Sequence, residues 1–234
     1  MRPRPPKHTP AADRGSAGAS AVREYERRRA RRDQRARARL GPLGQALARL
    51  TGDPQSTRAW KQGADAEIRV ARQLAKHLNG RNVVLLDDRR IPRRGRANID
   101  HIAIGPGGIT VIDTKSARGR LRVQQRGGIL SPRHELLLIN GRDRTHLIHG
   151  LERQIEAVRA TIAELTADEP DVRGALCFPN IDGLPRLGQL TMRSGAIAID
   201  APRGVAKLAR RQGSITQDLI QRIAGHLHRR LPPA

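Results

Sequence analysis

The chain has 234 residues, with 45 Lys and Arg against 22 Asp and Glu and a formal net charge of +23. This length can bury a substantial core and favours one domain with extensions over two equal domains. The charge far exceeds what solubility requires and points to a polyanionic partner, nucleic acid ahead of an anionic membrane surface. Cys177 is the only cysteine, which excludes an intramolecular disulfide and a cysteine-clustered zinc or iron–sulfur site and fits a reducing cytoplasm. There is no long apolar span and no apolar signal segment, so membrane and secretory readings are disfavoured and a cytoplasmic location is expected. One Trp, one Tyr and one Phe are too few rings for the usual base-stacking platform. Contacts to nucleic acid should therefore be mainly to phosphate and depend strongly on salt.

In chain order, residues 1–21 are rich in Pro, Ala, Gly and basic side chains without an apolar period and read as a disordered tail. Residues 22–59 read as an arginine-rich arm and linker, broken at Gly41-Pro42, with Arg27, Arg28, Arg29, Arg31 and Arg32 as candidate phosphate contacts. A solvated, weakly ordered extension would share this composition. The folded domain is expected over residues 60–200. Its first helix carries Ala64, Ile68, Ala71, Leu74, Ala75 and Leu78 at helical spacing. Glu67 falls on or beside that stripe, where a glutamate needs a metal or a partner such as a nearby arginine. Asn82 to Leu86 reads as the first strand, followed by Asp87-Asp88 and a basic connection. In that connection Arg89, Arg90, Arg93, Arg94 and Arg96 could line a phosphate path or face solvent in a loop.

The most informative stretch is a hairpin: Asn98 to Ile104, the turn Gly105-Pro106-Gly107-Gly108, then Ile109 to Lys115. Pairing Ile104 with Ile109 puts Asp100 opposite Asp113, with Cβ atoms ~4.5–5.5 Å apart. Lys115 lies two residues beyond Asp113 on the same face. Opposed like charges destabilise a sheet, and a divalent cation such as Mg²⁺ would remove the repulsion. From spacing alone, the alternative is an exposed hairpin end with ordinary solvent-facing charges. His101 faces the other side and reads as structural.

Beyond Lys115 comes Arg118, a further candidate phosphate contact. Arg120 to Val123, Gly128 to Leu130 and Glu135 to Ile139 read as short strands, and Asn140 to Arg144 as a turn. A helical stripe follows through Leu151, Ile155, Val158, Ile162 and Leu165, bordered by Gln154. That amide can position water or a carbonyl, or cap the edge of the core. Arg173 to Phe178 reads as a buried strand with Cys177 as a core residue, Asn180 to Gly195 as a loop-rich crossing, and Gly195 to Ile199 as a final strand. Residues 201–234 are expected to form a C-terminal helical segment packing on the domain, with Ser214 and Gln217 in capping-box spacing. The order fits an α/β three-layer sandwich with a central mixed β-sheet.

Trp60-x-x-Gly63-Ala64-x-Ala66-Glu67, Ala97-Asn98-Ile99-Asp100-His101-Ile102, the glycine-rich turn and Val111-Ile112-Asp113-Thr114-Lys115 together resemble the nuclease-related domain, NERD, a branch of the PD-(D/E)xK nuclease superfamily. The resemblance covers roughly Trp60 to Leu165, more loosely to Phe178. It implies a restriction-endonuclease-like core in which Glu67 is the first-helix glutamate, Asp100 the metal-binding aspartate, Asp113 and Lys115 the (D/E)-x-K pair, and Gln154 the glutamine of the following helix. The family commonly has an Asn-Pro pair shortly before that glutamine. Here the residues are His149-Gly150-Leu151-Glu152-Arg153.

The implied activity is Mg²⁺- or Mn²⁺-dependent hydrolysis of nucleic acid, with DNA the expected substrate. Asp100 and Asp113 would hold the ion with help from Glu67 and the Thr114 carbonyl, and Lys115 would orient water or stabilise the transition state. The alternative is a catalytically silent nucleic-acid-binding or scaffolding module of the same fold. A basic protein assembling with an acidic protein partner is a third reading. Oligomeric state is not legible in the residues.

Overall fold

The computed structural model describes residues 13–50, 55–92, 97–128, 131–166, 169–181, 190–191 and 197–234. Helices α1 (Ala19–Leu50) and α2 (Gln55–Leu78) open the fold. The arginine run is helical, and the helix bends at Gly41, whose φ of 58° and ψ of −148° fall where Gly41-Pro42 predicts a break. Gly18 lies against Ala64 and Ile68 while Arg28 lies over Trp60, so α1 and α2 run antiparallel.

Strands β1 (Val84–Arg90), β2 (Asn98–Gly105) and β3 (Gly108–Thr114) form an antiparallel meander. After them come β4 (Leu121–Gly128), β5 (Ser131–Ile139), β6 (Arg142–Asp143) and helix α3 (His146–Ala163). The chain continues through β7 (Val172–Cys177), β8 (Leu190–Thr191), β9 (Ile197–Asp200), α4 (Pro202–Ala209) and α5 (Gln217–Arg230). The main sheet has the order β1-β2-β3-β7-β9-β8, and β4-β5-β6 form a second sheet. Pairs β3/β7 and β7/β9 are parallel, so the main sheet is mixed, as the element order predicts.

Alternation along the strands assigns the two faces. Ile102, Ile104, Ile109 and Val111 pack with Leu151, Ile155 and Val158 of α3, with Ile220, Ile223 and Leu227 of α5, and with Leu121 and Leu137 of the second sheet. On the other face Ala103, Ile112, Ala175 and Cys177 lie with Val70, Leu74 and Leu78 of α2 and Val205 and Leu208 of α4. The result is a three-layer α/β sandwich, in which each fully buried aliphatic side chain contributes roughly 1.5–3 kcal/mol. Close approach explains two glycines. A Cβ at Gly105 would sit 2.7 Å from the Ala209 carbonyl oxygen, and one at Gly174 2.7 Å from Ile155 Cδ1.

The structure departs from the sequence reading in several places. Residues 13–21, expected to be disordered, are docked on the domain, whereas residues 1–12 lie outside the described residues. Arg14 Nε contacts Asp87 Oδ2 at 2.7 Å, and the Ser20 backbone N–H and hydroxyl donate to Asp88 at 2.7 and 2.8 Å. Composition cannot reveal such partners, because they come from β1. Asp88 leaves the ladder with φ 50°, a conformation Asp tolerates better than most residues.

Arg89, expected to face phosphate, is fully buried. Its guanidinium contacts His228 Nδ1 at 3.0 Å and donates to the Asp13 carbonyl. Helix α5 is capped by Thr216, whose hydroxyl accepts from the Leu219 N–H at 3.3 Å, because Gln217 begins the helix instead of sitting three residues inside it. The proposed strand at Gly128 to Leu130 is only the end of β4, with residues 129–130 outside the described set, as are 51–54 of the linker. Within the expected crossing Leu190–Thr191 pairs with β9, and residues 182–189 and 192–196 lie outside the described set.

Candidate active site

The hairpin register is the one deduced from the residues: Ile104 pairs with Ile109 and His101 with Ile112, so Asp100 and Asp113 stand opposite at the next position. The turn is tighter than a four-residue loop: Gly105 pairs with Gly108, which leaves Pro106-Gly107 at its tip and the register unchanged. Both carboxylates are buried, Asp100 at 8% and Asp113 at 4% exposure. The Thr114 N–H donates to Asp100 Oδ2 at 2.7 Å, and Lys115 Nζ donates to Asp113 Oδ1 at 2.7 Å. These bonds leave the second oxygen of each carboxylate for another partner.

Electrostatics tie Glu67 to the same cluster from α2. Burial first, then Asp88 and Asp113, push its carboxyl up to about 7 from an ordinary 4.5, against the lowering effects of Lys115 and the Gly18 N–H. Its Oε2 is buried with no hydrogen-bond partner. Asp100 is raised well above the ordinary carboxylate range by burial and by the charges of Glu67 and Asp113. Burial alone would lower Lys115, but Asp113, Asp100 and Glu67 outweigh it and raise the ammonium. Ionising all three carboxyls would place more negative charge in the cluster than one lysine neutralises, which together with burial is why Glu67 and Asp100 are raised. Among the described residues, no group of three or more His, Cys, Asp or Glu side chains is placed to hold a metal ion by itself. The donor set, two carboxylates with a glutamate beside them, is of the kind Mg²⁺ uses when water and substrate phosphate fill its remaining positions.

On the opposite sheet face His101 is wholly buried, with Nδ1 2.8 Å from Asp87 Oδ1 and Nε2 3.2 Å from Thr114 Oγ1. This chain braces the Thr114 backbone that holds Asp100. Gln154 is half-buried on α3, next to Leu151 and Ile155, which pack over Gly174; its Oε1 is buried without a hydrogen-bond partner. No described contact joins Gln154 to the carboxylates. Cys177 is fully buried and its thiol is pushed up by burial, which suits a core residue.

Of the candidate phosphate contacts, Arg27, Arg28, Arg29, Arg31, Arg90 and Arg118 are exposed, and Arg32 is half-buried beside Asp33. Arg93, Arg94 and Arg96 lie outside the described residues. The sequence reading missed a second basic group. Lys115 opens into a groove of about 640 Å³ lined by Arg118, Asn140, Arg142, Arg144 and His146, among others. Asn140 (φ 51°) and Gly141 (φ 75°) form the β5–β6 hairpin turn. The Asn140 side chain accepts from the Arg120 N–H at 2.9 Å and donates to the Arg118 carbonyl at 3.0 Å, which draws the two loops together. The Asn-Gly pair was the available signal that Arg142 and Arg144 follow a tight turn.

No described helix is long and apolar enough to cross a membrane. No curated protein and no solved structure matches the chain. The family model of the nuclease-related domain matches residues 62–179, a span that runs from within α2 to just past β7 and contains Glu67, Asp100, Asp113, Lys115 and Gln154. The match covers half of the sequence, including the whole central hairpin, and the chain belongs to the nuclease-related domain family.

Proposed function

We propose that the chain is a Mg²⁺- or Mn²⁺-dependent nuclease that hydrolyses phosphodiester bonds of nucleic acid, with DNA as the preferred substrate. The observation that carries this reading is the buried carboxyl cluster, whose ionisation is opposed within the protein: Asp100 opposite Asp113, with the unpartnered Glu67 Oε2 beside them. Such a cluster is costly for a protein to keep unless something cationic is drawn to it.

Asp100 and Asp113 would hold the cation through the oxygens not engaged by Thr114 and Lys115, and Glu67 would hold one of its waters. When bound, the cation neutralises the carboxylates and polarises the scissile phosphate. Lys115, kept protonated by its acidic neighbours, orients the attacking water or stabilises charge on the phosphate. The buried Gln154 amide oxygen is suited to positioning water from the α3 side. His101 and Asp87 act only through Thr114, by fixing its backbone. Exposed arginines of α1 and of the groove beyond Lys115 supply salt-dependent affinity for the phosphate backbone.

The test is metal-dependent cleavage of DNA and RNA by wild type, Lys115→Ala and Asp113→Ala. Loss of cleavage with retained binding in both variants supports the assignment. Equal cleavage by all three proteins rejects it. Binding that falls steeply with salt, without cleavage in any protein, would favour a silent nucleic-acid-binding module.

A further inference from the structure

Trp60 is the only tryptophan of the chain, and at 39% exposure it is the one large hydrophobic residue found exposed among the described residues. It lies one turn before Ala64, where the buried stripe of α2 starts, and just outside the span matched by the family. The Arg28 guanidinium sits 5.1 Å from the indole centroid. Glu24 fixes that guanidinium, accepting from Arg28 Nε at 2.9 Å and from Arg27 Nη1 at 2.8 Å. The ring and these arginines line a cleft of about 450 Å³, together with Arg23, Arg90 and Asn98. Arg23 also donates to the Ala234 carbonyl in the lining and lies 4.0 Å from Asp88 Oδ2, yet four arginines keep the cleft basic and suited to an anion, and the indole in its wall suits an anion that carries a flat ring.

The position of the cleft relative to the carboxylates follows from topology. Arg90 ends β1 and pairs with Asn98, which starts β2 two residues before Asp100; β3 ends with Asp113 and Thr114 at the same edge. Adjacent strands are ~4.8 Å apart, so Arg90 and Lys115 flank the carboxylates across roughly 10 Å. The Trp60 cleft lies on the β1 side and the Arg142/Arg144 groove on the β3 side. A polynucleotide passing over the carboxylates would have basic surface on both sides.

We propose that Trp60, backed by Arg28, is a stacking site for one unpaired base of a nucleic-acid strand, next to the phosphate bound at the carboxylates. The inference rests on the nucleic-acid reading above and adds the substrate's form: a base inside a duplex offers no free face to the indole, so the site selects a single-stranded or frayed segment. A guanidinium over an aromatic ring strengthens such a platform, and Arg23, Arg27 and Arg90 hold the flanking phosphates. The lone ring is thus a single stacking position, which the aromatic count by itself did not suggest.

The test uses the full chain in chelator, with Trp60 as the sole tryptophan emitter. Single-stranded oligodeoxythymidine should quench the emission with the same saturation curve as fluorescence anisotropy gives for the labelled strand. A blunt duplex and inorganic polyphosphate, which offers no bases, should bind with little quenching. Trp60→Ala should weaken single-strand binding about 5- to 150-fold while leaving polyphosphate affinity and the salt slope unchanged. Trp60→Phe, which keeps a ring, should restore most of the loss. Single-strand binding without quenching, equal quenching by polyphosphate, or unchanged affinity of Trp60→Ala would overturn the stacking site and leave the nucleic-acid reading standing. Failure of any nucleic acid to bind would overturn both.

Discussion

Replacing Glu67 by Gln should stabilise the protein in chelator while weakening its response to divalent cations. The Glu67 carboxyl is raised to about 7 from an ordinary 4.5, with burial the largest cause and the charges of Asp88 and Asp113 next. At 1.36 kcal/mol per pH unit, ionising it in the folded state costs on the order of 3 kcal/mol. The sign follows from linkage. The folded state binds the proton more tightly than the unfolded state, so Glu67 costs nothing below pH 4.5, costs more as pH rises to about 7, and costs a constant amount above that. Gln carries no charge, and its amide oxygen can still accept from the Gly18 N–H. Glu67→Gln should therefore melt about 6–12 °C above wild type at pH 8 in chelator and equal to it near pH 4. Thermal unfolding followed by circular dichroism across that range gives the comparison. A variant less stable than wild type at pH 8, or a difference that does not grow between pH 4.5 and 7, would refute the idea that Glu67 is held against its ionisation preference. Saturating Mg²⁺ should narrow the gap by stabilising wild type more than the variant.

Other perturbations separate structural from functional cations. Arg89→Ala should cost about 3–5 kcal/mol in urea unfolding, because it empties a buried guanidinium site between β1, α5 and residue 13, yet leave the nucleic-acid affinity of the folded protein unchanged. Arg142→Ala/Arg144→Ala should do the reverse: little change in stability, and a slope of log affinity against log salt shallower by about 1.8 for duplex DNA. Ser20→Ala removes the hydroxyl that donates to Asp88 at the start of α1. It should cost about 1 kcal/mol, seen as faster hydrogen exchange of the first α1 turn with the β3 core unaffected.

The parts of this fold that could be read from residue types were those set by local periodicity. The register of β2 and β3 follows from two β-branched runs and a turn whose closures, over Gly105–Gly108 or at Pro106-Gly107, give the same pairing, and that register alone puts Asp100 opposite Asp113. The α2 and α3 stripes were visible because helical spacing separates Leu74 or Ile155 from their polar neighbours. What failed was contact between distant segments. Nothing near Arg14 or Ser20 in sequence shows that Asp87 and Asp88 will meet them, so composition reads an ordered strap as a tail. Composition groups Arg89 with Arg90, although adjacent strand residues point to opposite sides and here only Arg90 reaches solvent. Gln154 was identified on its helix, but its distance from the carboxylates depends on how α3 crosses the sheet, which periodicity does not encode.

The central claim is that Asp100 and Asp113 form a cation site completed by substrate phosphate. It is tested most directly by isothermal titration of Mg²⁺ and Mn²⁺ into the protein bound to a non-cleavable phosphorothioate duplex, beside Asp100→Asn/Asp113→Asn treated identically. Metal binding by wild type that is lost in the double variant, with the duplex still bound to both, is the predicted result. Equal metal binding in both proteins, or none in either while the duplex remains bound, would contradict it.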